Sequence, residues 1–381
     1  MSNTKRIRCK AAIAWELGKE LSYEEIEVLA PKAHEVRVKI IWSALCHTDV
    51  YTLMGKEEAK FPMILGHEGA GIVESVGKGV IDIKKGDHVL VLYIPECKMC
   101  KFCQSDKTNL CMKISETQAR GTMPDGTTRF RANGREIFHF MGASTFSQYT
   151  VIPDISLVVI SKEAPLDKIC LLGCGITSGY GAATRSVKID PGSTVAVFGI
   201  GCVGLSVIQG AVASRAKKIV AIDINSDKES WARKFVANTD FEFVNPLKMD
   251  VSIRDYLIEI SDGGFDYTFD CTGNVHVMEQ ALEVSAKGWG KLCIIGSSLE
   301  GKKLCFAPFL VVTGRQIIGS AFGGIKGRSE IPQLVELYMK GQLKLDEYIT
   351  HKKNIKTINE GFQIMKTGNC IRCICDMQND S

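Results

Sequence analysis

Several kinds of segment are missing from this sequence of 381 residues, and each absence excludes a class of protein. No apolar run is long enough for a transmembrane helix. The first ten residues are polar and lack the apolar core of a secretory signal, and the last residues carry no targeting motif. No repeat and no low-complexity tract occurs. We therefore expect a cytoplasmic globular protein that does not bind membranes.

An excess of charge of one sign is also missing. Lys and Arg number 47 against 43 Asp and Glu, and the net charge of +4 gives no indication of a nucleic-acid partner. The length favours two domains. Cysteine, in contrast, is plentiful. The number of cysteines, fifteen, is odd, so they cannot all be paired in disulfides. In a cytosolic protein cysteines indicate thiols or metal ligands.

Two periodicities divide the chain. Short alternating runs between about residues 8 and 92 predict antiparallel strands in a partly closed β unit, and residues 95–141 look irregular. Beyond residue 193, β and α patterns alternate, which predicts a parallel doubly wound sheet. The predicted strands are 194–198, 218–223, 241–244, 265–270, 291–295 and 316–319, and the predicted helices are 203–214, 228–237, 253–260, 275–286 and 329–340.

A glycine motif follows the first strand of this alternating region. It reads Gly199-Ile-Gly201-Cys202-Val203-Gly204, opens a predicted helix and precedes Asp223 at the end of the next strand. The glycines would allow a tight turn, a close approach of backbone to a pyrophosphate, and close helix packing. The Asp223 carboxylate would bind ribose hydroxyls and repel a 2′-phosphate. The motif predicts an NAD site, and a tight turn without a ligand is the alternative.

Four cysteines form a second motif within residues 95–113. Their spacing, Cys97-x2-Cys100-x2-Cys103-x7-Cys111, is suited to tetrahedral thiolate coordination of zinc. Four ligands leave no position for water or substrate, so this zinc would be structural. Disulfides, an iron–sulfur cluster and a nucleic-acid zinc ribbon are the alternatives, although the last gap is wider than in ferredoxins.

Three further segments contain residues that could bind a zinc with an open coordination position. They are Cys46-His-Thr-Asp49, Gly66-His-Glu-Gly69 and Gly173-Cys-Gly175. Taken singly, a buried cysteine is usually a small apolar residue, and a histidine is usually a hydrogen-bonded structural one. Spacing does not establish that the three segments meet.

The whole set, in this order along nearly the whole chain, resembles the zinc-containing medium-chain alcohol dehydrogenases. The resemblance implies an α/β protein with a GroES-like β-rich catalytic domain (1–178 and 320–381) and a doubly wound Rossmann NAD-binding domain (179–319). It implies two zinc ions per subunit, one structural and one catalytic. The implied ligands of the catalytic zinc are Cys46, His67 and Cys174, with Glu68 as a transient ligand and Asp49 orienting His67.

The resemblance also implies a reaction. A zinc ion would act as a Lewis acid toward the alcohol oxygen, and hydride would pass to the nicotinamide. Thr48 would receive the alcohol proton, and Tyr51 stands where some relatives have histidine, so the outer relay would use water or His47. A backbone cap is the alternative role for Thr48. Lys228 would contact the adenosine ribose, and His47 and Arg372 the pyrophosphate.

Finer motifs resemble class III alcohol dehydrogenases, the S-(hydroxymethyl)glutathione dehydrogenases. They are Lys101-Phe-Cys103, Met123-Pro-Asp-Gly, His139-Phe-Met-Gly and Lys287-Gly-Trp-Gly. This resemblance implies NAD-dependent oxidation of S-(hydroxymethyl)glutathione, reduction of S-nitrosoglutathione and slow oxidation of long-chain primary alcohols. It also implies a homodimer formed through the nucleotide domain, with Tyr93 and Met141 in the substrate pocket.

Two features depart from the class III pattern. Ser115 occupies the position of an arginine that meets the glutathione carboxylate, so a bidentate contact is lost. Lys113 and Arg120 are the nearby cations that could replace it. The loop 55–60 is one residue short, and Glu57 with its neighbour Glu58 approximates an acidic pair for the glutathione amine.

These departures leave alternatives. Within the class, the first is an alcohol dehydrogenase for aliphatic or ω-hydroxy-acid alcohols with weakened glutathione recognition. Outside it, the chain could be a non-catalytic NAD(H) sensor or zinc-storage protein, or a zinc-free quinone reductase. The intact Cys46, His67, Cys174 and Thr48 oppose a sensor, and the lobe cysteines oppose the reductase.

Overall fold

The computed structural model describes residues 5–55, 59–298 and 301–379. The chain divides into two compact units, one comprising Met1–Cys174 with Lys326–Ser381 and the other Gly175–Ile325. Sequence analysis placed these boundaries after residues 178 and 319. Glu57 lies outside the described residues. None of the helices among the described residues is long and apolar enough to cross a bilayer.

Among the described residues, strands and helices occur along the whole chain. The strands are β1 (Ile7–Ala14), β2 (Ser22–Val28), β3 (Glu35–Ala44), β4 (Met63–Ile64), β5 (Glu68–Val76), β6 (His88–Val91), β7 (Phe130–Ala132), β8 (Arg135–His139), β9 (Tyr149–Pro153), β10 (Leu157–Ile160), β11 (Thr194–Phe198), β12 (Lys218–Ile222), β13 (Asp240–Val244), β14 (Tyr267–Asp270), β15 (Lys291–Ile294), β16 (Gln316–Gly319), β17 (Ile349–Asn354) and β18 (Arg372–Asp376). The helices are α1 (His47–Leu53), α2 (Lys101–Gln104), α3 (Ser115–Ala119), α4 (Leu166–Ile169), α5 (Gly175–Gly181), α6 (Cys202–Ala213), α7 (Lys228–Ala232), α8 (Ile253–Ile260), α9 (Val275–Glu283), α10 (Phe309–Val312), α11 (Gly327–Met339) and α12 (Ile358–Lys366).

The first unit contains a closed barrel and a second sheet. The barrel has the order β1-β2-β7-β8-β4, and the sheet has the order β10-β6-β5-β3-β18-β17, with β9 paired to β3. Closing the barrel pairs strand edges that would otherwise be exposed. Apolar side chains from both form one buried core, which includes Ile13, Ile40 and Phe146. Cys373 and Cys375 on β18 are fully buried in this core.

The prediction that residues 95–141 are irregular was wrong in part. This stretch contains α2, α3 and a hairpin of β7 and β8, in which Ala132 pairs with Arg135. Asn133 and Gly134 join the strands with φ of 51° and 74°, as a two-residue hairpin turn requires. The Asn-Gly signal is therefore present within a segment that otherwise resembles a polar loop.

The second unit is a parallel sheet with the order β13-β12-β11-β14-β15-β16. The predicted α/β fold class is confirmed. Strand order reverses between β11 and β14, and such switch points form the ligand crevice in doubly wound sheets. The helix predicted over 275–286 ends at Glu283, because the chain then pairs with Phe265, whose N–H donates to the carbonyl of Val284.

Candidate zinc and nucleotide sites

Four cysteines of the first unit converge on one point. Sulfur atoms of Cys97, Cys100, Cys103 and Cys111 all lie within 4.8 Å of one another. The Cys97–Cys103 and Cys100–Cys111 sulfur distances are 3.8 and 3.9 Å, so these are thiols rather than disulfides. Burial would raise the pKa of Cys100, but the Cys103 N–H and neighbouring thiols lower it to about 6. Four thiols with thiolate-stabilising amides fit a closed zinc site.

This cysteine lobe, residues 95–113, is tied to the start of α11. The buried Glu96 carboxylate accepts hydrogen bonds from the N–H (2.8 Å) and the hydroxyl of Ser329. The Lys326 ammonium donates to the carbonyl of Cys103 at 2.7 Å. Because the buried apolar groups of the lobe are chiefly its own cysteines, metal binding and these polar anchors would hold its shape.

A second group of ligand atoms forms where three chain segments meet. Cys46 precedes α1, His67 precedes β5 and Cys174 ends a short helical turn, and their donor atoms lie with that of Glu68 within 4.8 Å of one another. The His67 Nε2 atom is buried and has no hydrogen-bond partner among the described residues. Two sulfurs and one such nitrogen fit a catalytic zinc, which keeps a further position for substrate.

Asp49 joins two of these segments. Its fully buried carboxylate accepts the Cys46 N–H (3.0 Å) through one oxygen, and the Gly66 N–H (3.0 Å) and His67 Nδ1–H (3.3 Å) through the other. The pairing assigns the proton to Nδ1 and leaves the Nε2 lone pair for a metal. Burial would lower the pKa of His67, but the Asp49 and Cys46 charges raise it well above its usual value.

A hydrogen bond links the two thiols of this group. A hydrogen bond from Cys174 lowers the pKa of Cys46 well below its usual value, and the same bond raises the pKa of Cys174. The hydrogen bond thereby favours the thiolate form of Cys46. Zinc ligation requires thiolates, so the electrostatics favour a cation at this point.

Glycines beside His67 allow another segment to pack closely. A Cβ on Gly66 would lie 2.5 Å from the Thr145 hydroxyl, and a Cβ on Gly69 would lie 2.4 Å from the Thr145 methyl. Ser43 fixes that hydroxyl through a hydrogen bond of 2.6 Å. Larger residues at either glycine would therefore displace the loop that presents His67.

Glu68 and Arg372 form a buried ion pair next to the ligands. Arg372 Nη2 donates to Glu68 Oε1 at 3.0 Å, and both side chains are at most 5% exposed. Burial raises the pKa of Glu68 to about 8, although Arg372 opposes the shift. Arg372 was predicted to contact the pyrophosphate, and in this structure its guanidinium pairs with Glu68.

Thr48 lies beside the proposed metal ligands. Its hydroxyl oxygen is 3.7 Å from the Cys46 sulfur, and its carbonyl accepts the Thr52 hydroxyl. His47 is exposed at the start of α1, with its ring centroid 6.2 Å from that of Tyr51. Thr48 therefore lies next to one of the ligand sulfurs, and its role as proton acceptor stays a prediction.

The second unit carries the glycine motif on its central strand. Gly199 follows β11 with φ of 88°, and a Cβ on Gly204 would lie 1.9 Å from the Gly199 carbonyl oxygen. Apart from its chain neighbours, none of the described residues has an atom within 4 Å of the Cβ position at Gly201, which leaves room for a phosphate. Cys202 and Val203 begin α6, whose N-terminus suits an anion.

Asp223 follows β12 beside this turn. Its carboxylate accepts the Ile200 N–H at 2.7 Å and the Asn225 N–H at 2.9 Å. Each carboxylate oxygen has a second lone pair for a ribose hydroxyl. Lys228, buried at the start of α7, lies one short turn further on. Strand, turn, helix and acidic residue therefore have the arrangement of a dinucleotide site.

Comparison with known proteins matches both units. Residues 32–162 match the alcohol dehydrogenase GroES-like domain, and residues 202–340 match the zinc-binding dehydrogenase family. The chain is 61% identical to a probable S-(hydroxymethyl)glutathione dehydrogenase of Schizosaccharomyces pombe, over 98% of each protein. It is 54% identical to an alcohol dehydrogenase class-3 of Dictyostelium discoideum, over 98% of this chain and 99% of that protein.

The chain belongs to the class III zinc-dependent alcohol dehydrogenases. The predicted resemblance is thereby confirmed. A solved structure, an alcohol dehydrogenase zinc-binding domain protein from Burkholderia ambifaria, superposes with a TM-score of 0.91 at 30% identity, covering 98% of this chain and all of that one.

The residues predicted for the class III substrate pocket lie in several places. The Tyr93 ring lies edge-on to His67 at 5.8 Å between centroids. The Ser115 hydroxyl donates to the Met112 carbonyl at 3.2 Å. Arg120 pairs with Glu116 in the same helix, so its charge is already compensated, whereas Lys113 is exposed.

Two residues near His67 were not predicted from the sequence. Phe140 lies edge-on to His67 at 5.8 Å, so that it and Tyr93 both pack against the imidazole. Gln118 connects the chain segments that carry these two rings. Gln118 belongs to no sequence motif, whereas Phe140 lies within the His139-Phe-Met-Gly motif, which does not itself indicate a contact with His67.

Proposed function

We propose that this protein is a zinc-dependent oxidoreductase that transfers hydride between alcohols and NAD. Its principal substrate would be S-(hydroxymethyl)glutathione, the adduct of formaldehyde and glutathione, so that it would detoxify formaldehyde. It would also reduce S-nitrosoglutathione and oxidise long-chain primary alcohols. The observation that carries the proposal is that the donor atoms of Cys46, His67 and Cys174 converge, and that the buried His67 Nε2 has no hydrogen-bond partner among the described residues.

The roles of the residues follow from their contacts. Cys46, His67 and Cys174 would hold the catalytic zinc, which supplies Lewis acidity toward the alcohol oxygen. Asp49 keeps the His67 Nε2 lone pair directed at the metal position. Thr48 would accept the alcohol proton, since its hydroxyl lies beside the Cys46 sulfur.

Glu68 has a different role from the permanent ligands. Its carboxylate oxygen Oε2 is buried and lacks a hydrogen-bond partner among the described residues, while Oε1 pairs with Arg372. One oxygen is thus anchored and the other is available for transient metal binding.

The cofactor would bind at the carboxyl end of β11. Amides at the start of α6 would bind the pyrophosphate, and Asp223 would bind the ribose hydroxyls and disfavour NADP. The contacts of Lys228 with the ribose, and of His47 and Arg372 with the pyrophosphate, remain predictions.

The proposed partner is a second copy of the chain in the cytoplasm. Strand β16 ends the sheet order of the second unit, and exposed apolar residues lie on the preceding helix α10, with Phe309 70% and Val312 74% exposed. An edge strand and exposed apolar side chains within the same unit suit a homodimer interface. Sedimentation equilibrium should give a dimer that Val312→Asp weakens, and a monomeric wild type would refute this.

A general aliphatic alcohol dehydrogenase is the second candidate. It is favoured by one observation, that Ser115 donates to its own helix entrance at Met112 rather than presenting a cation. Arg120 is also engaged by Glu116. Lys113 is then the nearby cation for a glutathione carboxylate.

Metal content and turnover test the shared reaction. We expect about two zinc ions per chain and zinc-dependent NAD reduction by alcohols. Cys46→Ser and Cys174→Ser should abolish turnover while the protein still folds and binds NAD. A wild type without zinc or turnover would indicate a quinone reductase or a cofactor sensor instead, and full activity in zinc-loaded Cys174→Ser would refute the ligand assignment.

A further inference from the structure

Gln118 bridges two chain segments that are distant in sequence. Its half-buried side chain extends from α3, and its amide nitrogen donates to the carbonyl of Tyr93 at 3.1 Å and to the carbonyl of Met141 at 2.9 Å. A primary amide has two N–H donors. Both donors are therefore used to hold two backbone positions.

The two segments carry the rings that enclose His67. Tyr93 lies on one segment and Phe140, the residue before Met141, lies on the other, each with a centroid 5.8 Å from that of the imidazole. Gln118 thus links the backbones of the two segments whose rings pack against the proposed zinc ligand His67.

The Met141 segment needs such a restraint. Met141 has φ of 53°, in the left-handed region that non-glycine residues disfavour. The adjoining Gly142 also lets the side chain approach, because a Cβ there would lie 3.1 Å from the Gln118 nitrogen. The hydrogen bond to the Met141 carbonyl acts directly on this disfavoured turn.

The helix that carries Gln118 is itself firmly attached. The Gln118 N–H donates to Ile114, and the Gly121 N–H donates to the Gln118 carbonyl. The His139 N–H in turn donates to the Gly121 carbonyl at the end of β8. The backbone of Gln118 is thus held in place, so its side-chain amide can restrain both segments.

We infer that Gln118 is a positioning residue that sets the distance between the chain segments of Tyr93 and Met141. This distance in turn determines the size of alcohol that the site accepts. The inference rests on the proposed function. Gln118→Met keeps the length and apolar stem of the side chain but removes both donors. Gln118→Lys restores donors at the end of a flexible chain.

The experiment measures kcat and KM for ethanol, octanol and S-(hydroxymethyl)glutathione in each variant. For Gln118→Met we expect KM for the two large substrates to rise about tenfold while kcat for ethanol stays within about twofold. Substrate contacts with the Tyr93 and Met141 segments stabilise the ground state and the transition state equally, so their loss raises KM and leaves kcat unchanged. Gln118→Lys should recover most of the loss. Gln363→Met, on the exposed face of α12, is the matched control and should behave as wild type.

A second readout does not depend on turnover. In protein labelled with ¹³C-methyl methionine, the Met141 signal, assigned with Met141→Leu, should shift in Gln118→Met and not in Gln363→Met.

An unmoved signal and unchanged kinetics would overturn the inference. An equal loss of kcat on all three substrates with loss of zinc would also overturn it, because Gln118 would then only support the metal site. If Gln118→Met does not fold, Gln118→Asn must show the same KM pattern. If wild type oxidises no alcohol, the proposed function fails while the Met141 signal still tests the positioning.

Discussion

Replacing Asp49 by asparagine is expected to weaken the catalytic metal site without changing its shape. The carboxylate accepts three N–H groups, from Cys46, Gly66 and His67, at 3.0, 3.0 and 3.3 Å. Asparagine has one oxygen and one NH2 group. The asparagine oxygen can accept hydrogen bonds in place of one carboxylate oxygen. The NH2 group then takes the place of the other oxygen and faces an N–H donor.

The magnitude follows from these contacts. A hydrogen bond to a charged group contributes about 1.5–3 kcal/mol, and a buried donor left without a partner costs about 1–3 kcal/mol. One bond is lost and the other two lose their charge assistance, so we expect unfolding free energy to fall by about 2–4 kcal/mol. Zinc affinity at this site should fall by about 10- to 100-fold, as for other carboxylates that orient metal-bound histidines.

Chelator competition, with zinc content measured per chain, is the assay. The lobe zinc should resist chelation in both proteins, whereas the zinc bound through His67 should be lost more readily from Asp49→Asn, with a parallel fall in turnover. Asp154→Asn makes the same change in the exposed His34–Asp154 pair and should cost little. Wild-type zinc affinity and turnover in Asp49→Asn would refute the reasoning.

Three further predictions address the other parts of the protein. Cys103→Ser should lose one of two zinc ions and unfold at lower temperature, since it breaks the lobe's coordination; two retained zinc ions with unchanged thermal stability would contradict a structural zinc. Asp223→Ser should raise kcat/KM for NADP relative to NAD by about tenfold or more by removing charge repulsion, and an unchanged ratio would mean that Asp223 does not contact the ribose. Ser115→Arg should raise kcat/KM for S-(hydroxymethyl)glutathione by about tenfold and leave octanol unchanged, as one carboxylate contact is worth about 1–3 kcal/mol; an equal effect on both substrates would place Ser115 away from the glutathione carboxylate.

Local motifs could be predicted from the sequence because neighbouring residues determine their geometry. The turn from Gly199 to Gly204 and the cluster from Cys97 to Cys111 each lie within one short segment. Cysteine spacing therefore indicated a four-sulfur site, and the glycine spacing with its flanking strand, helix and Asp223 indicated a phosphate turn. The structure has both arrangements.

The second metal group could not be derived in this way. Cys46, His67 and Cys174 lie on three segments, and their convergence depends on tertiary packing, such as the contact of Gly66 and Gly69 with Thr145. Only the family resemblance indicated that they meet. Local spacing carries no information about contacts of this kind.

Side-chain contacts between residues distant in sequence could not be predicted for a related reason. Gln118 binds two carbonyls that lie 25 and 23 residues away in the sequence. The hairpin around Asn133 and Gly134 was overlooked for a different reason, since its turn signal is local but is surrounded by polar, glycine-rich sequence.

The most direct test of the proposed function is steady-state kcat/KM with NAD for S-(hydroxymethyl)glutathione, formed from formaldehyde with and without glutathione, compared with octanol. We expect strict dependence on glutathione and a preference for the adduct of about a hundredfold, equivalent to about 2.7 kcal/mol of transition-state stabilisation. Comparable values for the two substrates, or turnover that does not depend on glutathione, would contradict it and identify a general alcohol dehydrogenase.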